Sequence, residues 1–139
     1  MAVNRLASLL LIGVAIIHFL PLPGLLGAEQ LAQLYGVTVA DPGLELLMRH
    51  RAAMFGAIGA VILAGAFRRR LRVTALFVGF ASVISFLVLA YTGSEPNAAI
   101  GRVVIADWIA LALLLGAGLL VALDRSRQTR PMFRERREN

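Results

Sequence analysis

The sequence has no cysteine, no lysine and almost no charge across its longest apolar runs. Without cysteine there is no disulfide, no thiol nucleophile and no thiolate metal site, and nothing follows about redox compartment. Without lysine, all 14 basic residues are arginine, a bias that a GC-rich genome produces as readily as any demand for guanidinium chemistry. From Val73 to Thr92 no charged residue occurs, and from Val103 to Leu123 only Asp107 does. Each run is long enough to cross a hydrocarbon layer of about 30 Å. A soluble core helix needs a polar face, and these two have none, which excludes an ordinary globular domain. No convincing internal repeat is present, and no separate soluble domain fits beside the spans.

What is present is apolar: 59% of the 139 residues are hydrophobic and the mean hydropathy is +0.80. The expected fold is all-α, an integral membrane antiparallel four-helix bundle with helices at about 5–20, 42–67, 73–92 and 100–123. The first span ends at Pro21 and Pro23, which disfavour further helix. Its charged start at Arg5 resembles a signal peptide, but Leu26 spoils a cleavage point after Ala28, so it reads as a retained helix. From Gly24 to Ala40 the chain reads as a loop with a weakly amphipathic piece, Leu31, Leu34 and Tyr35 on one face, suited to the interface.

Asp41 can cap the second span and Pro42 suits its first helical position. Running to Phe67, that span reaches about 39 Å, so its first turns stand outside the hydrocarbon or the helix tilts. The link Arg68-Arg69-Arg70-Leu71-Arg72 forces a hairpin into the third span. Gly93 to Asn97 then turns the chain into the fourth. The domain division is therefore 1–123 for the membrane part and 124–139 for an arginine-rich cytoplasmic tail that cannot bury a core of its own.

Arginine placement orients the chain. With both termini inside, Arg5, the arginines of the second loop and those of the tail are cytoplasmic, leaving Arg49, Arg51 and Arg102 outside. The expected location is a bacterial inner membrane, multi-pass. The net charge of +6 is concentrated beside apolar spans, where topology control and anionic lipid account for it, and no nucleic-acid partner is expected.

Under this topology the intramembrane polar groups converge near the outer face. His18 ends the first span, Arg49, His50 and Arg51 lie in the outer part of the second, and Asp107 sits about 8 Å below Arg102 in the fourth. An aspartate at that depth is too short to reach water and costs up to roughly 2.5–3.5 kcal/mol on insertion scales. Pairing with Arg49, Arg51 or His50 would offset much of this. Two readings stand side by side: an ion pair that only sets helix register, or a polar pocket open to the outer leaflet with histidines as proton carriers or hydrogen-bond donors.

Two histidines and a carboxylate could bind zinc, but no His-Glu-x-x-His spacing supports a metal, and no cofactor is expected. Arg49 and Arg51, two residues apart, cannot share a helix face, so one reaches lipid phosphate while the other turns inward. Arg102 is expected to reach phosphate as well. Tyr91 and Trp108 suit interfacial anchors as much as ligand contacts, and Ser82 and Ser85 suit bonds to their own helix backbone. Ala52, Gly56, Ala60 and Ala64 draw a small-residue stripe down the second span, a device for close helix approach.

The segments His18-Phe19-Leu20-Pro21, Leu34-Tyr35-Gly36-Val37, Leu47-Met48-Arg49-His50-Arg51-Ala52 with Phe55-Gly56, and Arg102-Val103-Val104 with Ala106-Asp107 resemble a family of small bacterial four-helix membrane proteins of DoxX-like architecture. The resemblance runs from Leu6 to about Leu123 and implies architecture without a reaction. Some members carry the name phosphopantetheine adenylyltransferase. Soluble enzymes of that type use a His-x-Gly-His motif on an α/β fold, and this chain has neither that motif nor a P-loop.

The leading expectation is a membrane protein binding a lipid or amphiphile in an outer-leaflet cleft, or an accessory subunit of a larger membrane complex, with homo-oligomerisation possible. Arg49, His50, Arg51, Asp107, His18 and Tyr91 are its candidate ligand contacts. The alternative is an intramembrane acid/base isomerase or cyclase acting on a hydrophobic substrate, with His18, His50 and Asp107 as candidate catalytic groups.

Overall fold

Long runs of leucine, isoleucine, valine and alanine leave the backbone only its own carbonyls to bond, and in a computed structural model the chain is helical throughout, with no strand among the described residues. The structure describes the backbone at residues 2–93 and 95–135, and side chains at 3–93 and 95–126. Five helices follow one another: α1 (Ala2–Phe19), α2 (Ala28–Tyr35), α3 (Pro42–Phe67), α4 (Arg72–Thr92) and α5 (Ala98–Glu135). Short 3₁₀ turns at Leu22–Leu26 and Arg69–Leu71 link α1 to α2 and α3 to α4.

Four segments are long and apolar enough to cross a membrane: Val3–Leu26, Pro42–Phe67, Arg69–Thr92 and Ala98–Ser126. Their outer faces carry Leu9, Ile16, Phe77, Leu89, Ile105 and Leu119 in the open. A belt of that extent would aggregate in water and is suited to acyl chains.

The ends of the helices follow local chemistry. The Asp41 carboxylate accepts from Leu44 N–H at 2.7 Å, with Pro42 at the first helical position, as the sequence leads one to expect. The segment read as a loop with an amphipathic piece holds a true helix, α2, with Leu31 and Tyr35 buried. Gly36 ends it with φ +64°, and a Cβ there would sit 3.2 Å from Ala99. Only glycine meets both conditions without strain. At the chain's other end, α5 runs on to Glu135, past the boundary expected at Leu123 and through Pro131; up to Arg130 no proline or glycine interrupts it after Gly118, and arginine is a good helix former.

Packing runs in a ring, α1 against α3 and α5, and α4 against the same two. The shared core contains Leu11, Val14, Ile62, Val83, Ala110 and Leu114, all buried. The small-residue stripe of α3 is used only in part. Ala52 is buried and Gly56 meets Leu22, but Ala60 is exposed. The close approaches are made by Gly59 under Phe19 and by Gly65 against Ala75, on the face that the α1 and α4 contacts select.

Polar ties close both ends. At one, Arg72 Nη1 donates to Asn4 Oδ1 at 2.8 Å, Arg72 Nη2 to Ser8 Oγ at 2.8 Å, and Ser8 Oγ to the Ala66 carbonyl at 2.6 Å. At the other, Asn97 Nδ2 donates to the Tyr35 carbonyl at 3.0 Å, while Asn97 Oδ1 caps α5 by accepting from Ile100 N–H. The second tie holds α2 against the start of α5, and α2 thereby roofs the site.

Candidate functional site

Because α1 stops at the proline pair and α2 folds back over the helix ends, a space is left between the end of α1, α2, α3 and the first turns of α5. It is a cavity of about 300 Å³, open on one side. Ile17, Leu20, Pro21, Leu34 and Val103 give it apolar walls, and Tyr35 and Phe55 add rings. Its polar groups are His18, Gln33, Arg102 and Asp107. This is the composition of a ligand site at the small end of the usual size range: apolar lining with a few polar groups.

His18 is 1% exposed and held on both nitrogens. Nδ1 lies 2.9 Å from the Val14 carbonyl, which can only accept, so Nδ1 carries a proton. In the neutral ring Nε2 then accepts from the Ser82 hydroxyl, 3.2 Å away on α4. The ring also lies 5.8 Å from that of Phe55. Ser82, expected to bond its own backbone, instead fixes the orientation of this imidazole.

Asp107 is 5% exposed. Among the described residues it makes no hydrogen bond and no ion pair, and the expected close pairing with Arg49, His50 or Arg51 is not formed. The reason lies in where those three side chains go. Arg51 acts on Asp107 only through space; its guanidinium sits 5.2 Å from the ring centre of Tyr35, 5.1 Å from Phe55 and 5.8 Å from Phe86. Three aromatic faces offer a cation attraction without a counterion. Arg49 is exposed, donates from Nε to the Leu25 carbonyl at 3.0 Å and lies 3.5 Å from Glu45. His50 is exposed on α3 and does not line the cavity.

Of the residues singled out from the sequence, the fold therefore brings His18 and Asp107 to one cavity and Arg51 to its flank. Arg49, His50 and Tyr91 stand apart; Tyr91 is 71% exposed and meets Trp108 edge-on at 6.5 Å. Arg102, expected to reach out to phosphate, is exposed and also contributes to the lining of the cavity. Sequence reasoning also missed Tyr35, Phe55 and Phe86 as the cage around Arg51. The spacing Arg51 to Phe55 was a usable signal, since residues four apart share a helix face; Tyr35 and Phe86 come from other helices and gave none. Among the described residues no group of histidines and carboxylates is placed to hold a metal. In comparison with known proteins, no family model, curated protein or solved structure matches this chain.

Proposed function

We propose that this chain is an inner-membrane antiparallel four-helix bundle of DoxX-like architecture, with both termini cytoplasmic, whose cavity binds the polar end of a lipid or other amphiphile. The observation that carries this is Asp107: a carboxylate at the wall of an apolar cavity, buried and without a hydrogen-bond or ion-pair partner among the described residues. The carboxylate oxygens are not sealed off without a partner but keep surface toward the cavity, where a ligand hydroxyl or ammonium would supply the donor that no described protein group gives. Arg102 in the same lining would favour an anionic group beside the donor. At about 300 Å³ the cavity has room for a headgroup or a short length of chain, not a whole lipid. The register-setting ion pair is disfavoured by the same observation, since the pair is not made.

The isomerase or cyclase reading keeps one support, that His18 and Asp107 line one cavity. Against it, both imidazole nitrogens are already engaged, by Val14 and Ser82. A proton carrier needs one nitrogen free to face the substrate.

The test is native mass spectrometry of the protein released from nanodiscs of bacterial lipid extract. Asp107→Asn should lower lipid occupancy about tenfold, as expected for losing a hydrogen bond to a charged acceptor. Ala106→Phe, which fills the cavity from its own wall, should abolish it. Unchanged occupancy in both variants would remove the proposal.

A further inference from the structure

At the opposite end of the bundle, Arg72 at the start of α4 is only 7% exposed. Its donors meet Asn4 Oδ1, the Asn4 carbonyl and Ser8 Oγ, all neutral, and its Nε has no partner among the described residues. The carboxylate in this region, Asp124, accepts from Asn4 Nδ2 at 3.4 Å and lies 3.9 Å from Arg69 rather than on Arg72. Arg72 and Asp124 face one shared cleft without an ion-pair contact, so the guanidinium's hydrogen bonds go to neutral groups and its charge is offset only in part. An anion in the adjoining groove would add to that offset.

The place for that anion is visible. Arg72 forms part of a groove of about 640 Å³ that also takes in Arg5, Arg69, Ser8, Leu9 and Phe67. Arg5 and Arg69 are exposed and supply two further cations. Leu9, 63% exposed, and Phe67, 73% exposed, continue the same groove as an apolar rail. Charge at one point and exposed hydrocarbon beside it complement a molecule with an anionic head and an acyl tail, and a free inorganic anion would leave the rail unused.

We propose that the groove between the start of α1, the end of α3 and the start of α4 binds one anionic phospholipid, its phosphate facing Arg5, Arg69 and Arg72 and its first methylenes lying on Leu9 and Phe67. This site is separate from the Asp107 cavity and independent of whatever occupies it. Polybasic sites at a membrane surface gain roughly fivefold in lipid affinity for each arginine, but here the geometry selects particular arginines rather than total charge.

The experiment uses the full chain in nanodiscs of phosphatidylcholine doped with phosphatidylglycerol, read by native mass spectrometry as lipids retained per protein. The wild type should retain phosphatidylglycerol in preference to phosphatidylcholine. Arg5→Gln with Arg69→Gln, both at exposed positions, should cut that retention about tenfold or more while circular dichroism stays that of the wild type. Arg70→Gln, which removes one charge just outside the groove, should change it less than about twofold. Arg72→Gln is run beside them with circular dichroism, and loss of retention in a helical Arg72→Gln protein supports the site. Equal retention in the double variant overturns the proposal, as does an equal loss from Arg70→Gln, which would mean diffuse attraction. Displacement of the lipid by millimolar inorganic phosphate overturns the lipid and assigns the groove to free phosphate.

Discussion

At the residue scale, the chemistry of the cavity end of the molecule turns on where one guanidinium goes. Arg51 is placed among Tyr35, Phe55 and Phe86 rather than in contact with Asp107, so its attraction is to ring faces and the carboxylate is left open to the cavity. Arg51→Met keeps the stem and removes the charge. It should lower the stability of the solubilised protein by about 1–2 kcal/mol, the range for a partly desolvated cation over aromatic rings, and thermal unfolding in detergent micelles would measure it. A negligible change would mean that the rings merely neighbour the cation. That Arg51 and not His50 turns inward was not legible in the sequence. Adjacent residues on a helix point about 100° apart, and which one faces the bundle is decided by how α3 is rotated when α2 and α4 dock on it.

At the scale of elements, hydrophobic continuity made the long helices legible, and the Asp41-Pro42 start of α3 could be read to the residue. The roof helix α2 was the part that could not. Eight residues are too few for a periodicity signal to outweigh the flanking glycines, and α2 owes its stability to burying Leu31 and Tyr35 rather than to propensity. The α3–α4 crossing shows the same limit. The four-residue stripe pointed to Ala60, yet Ala60 faces outward and Gly65 makes the contact, where an added Cβ would overlap Ala75. Gly65→Val should therefore cost about 1–3 kcal/mol by overpacking, whereas Ala60→Val should stay within about 0.5 kcal/mol. Unfolding of the two variants side by side in the same detergent separates them, and equal effects would contradict the observed rotation of α3.

At the scale of the whole molecule, the two ends differ in kind. One gathers Arg69, Arg70, Arg72 and Arg125 with Asp124, and Arg5 in the groove beside Arg69 and Arg72; the other holds the cavity under α2. The absence of cysteine makes the proposed orientation simple to check, because any single cysteine is unique. Thr38→Cys and Glu95→Cys should react with a membrane-impermeant maleimide on intact spheroplasts, and Arg70→Cys and Ser126→Cys only after lysis. The reverse pattern would invert the topology and put the Asp107 cavity on the cytoplasmic side. The arrangement also locates the two proposed lipid contacts at opposite ends, so that loss of one leaves the other measurable.

Residue order alone was enough for the number of segments long and apolar enough to span, their approximate limits and the common level of His18 and Asp107 along the bundle, because hydropathy is a sum over successive residues and level follows from counting along the axis. Azimuth does not follow from counting. Whether Asp107 meets an arginine, whether Arg102 faces lipid or a cavity, and whether Arg72 is covered by α1 all depend on rotations about helix axes that only interhelical packing sets, within a fraction of a turn, through contacts between residues such as Gly59 and Phe19 that lie far apart in the chain.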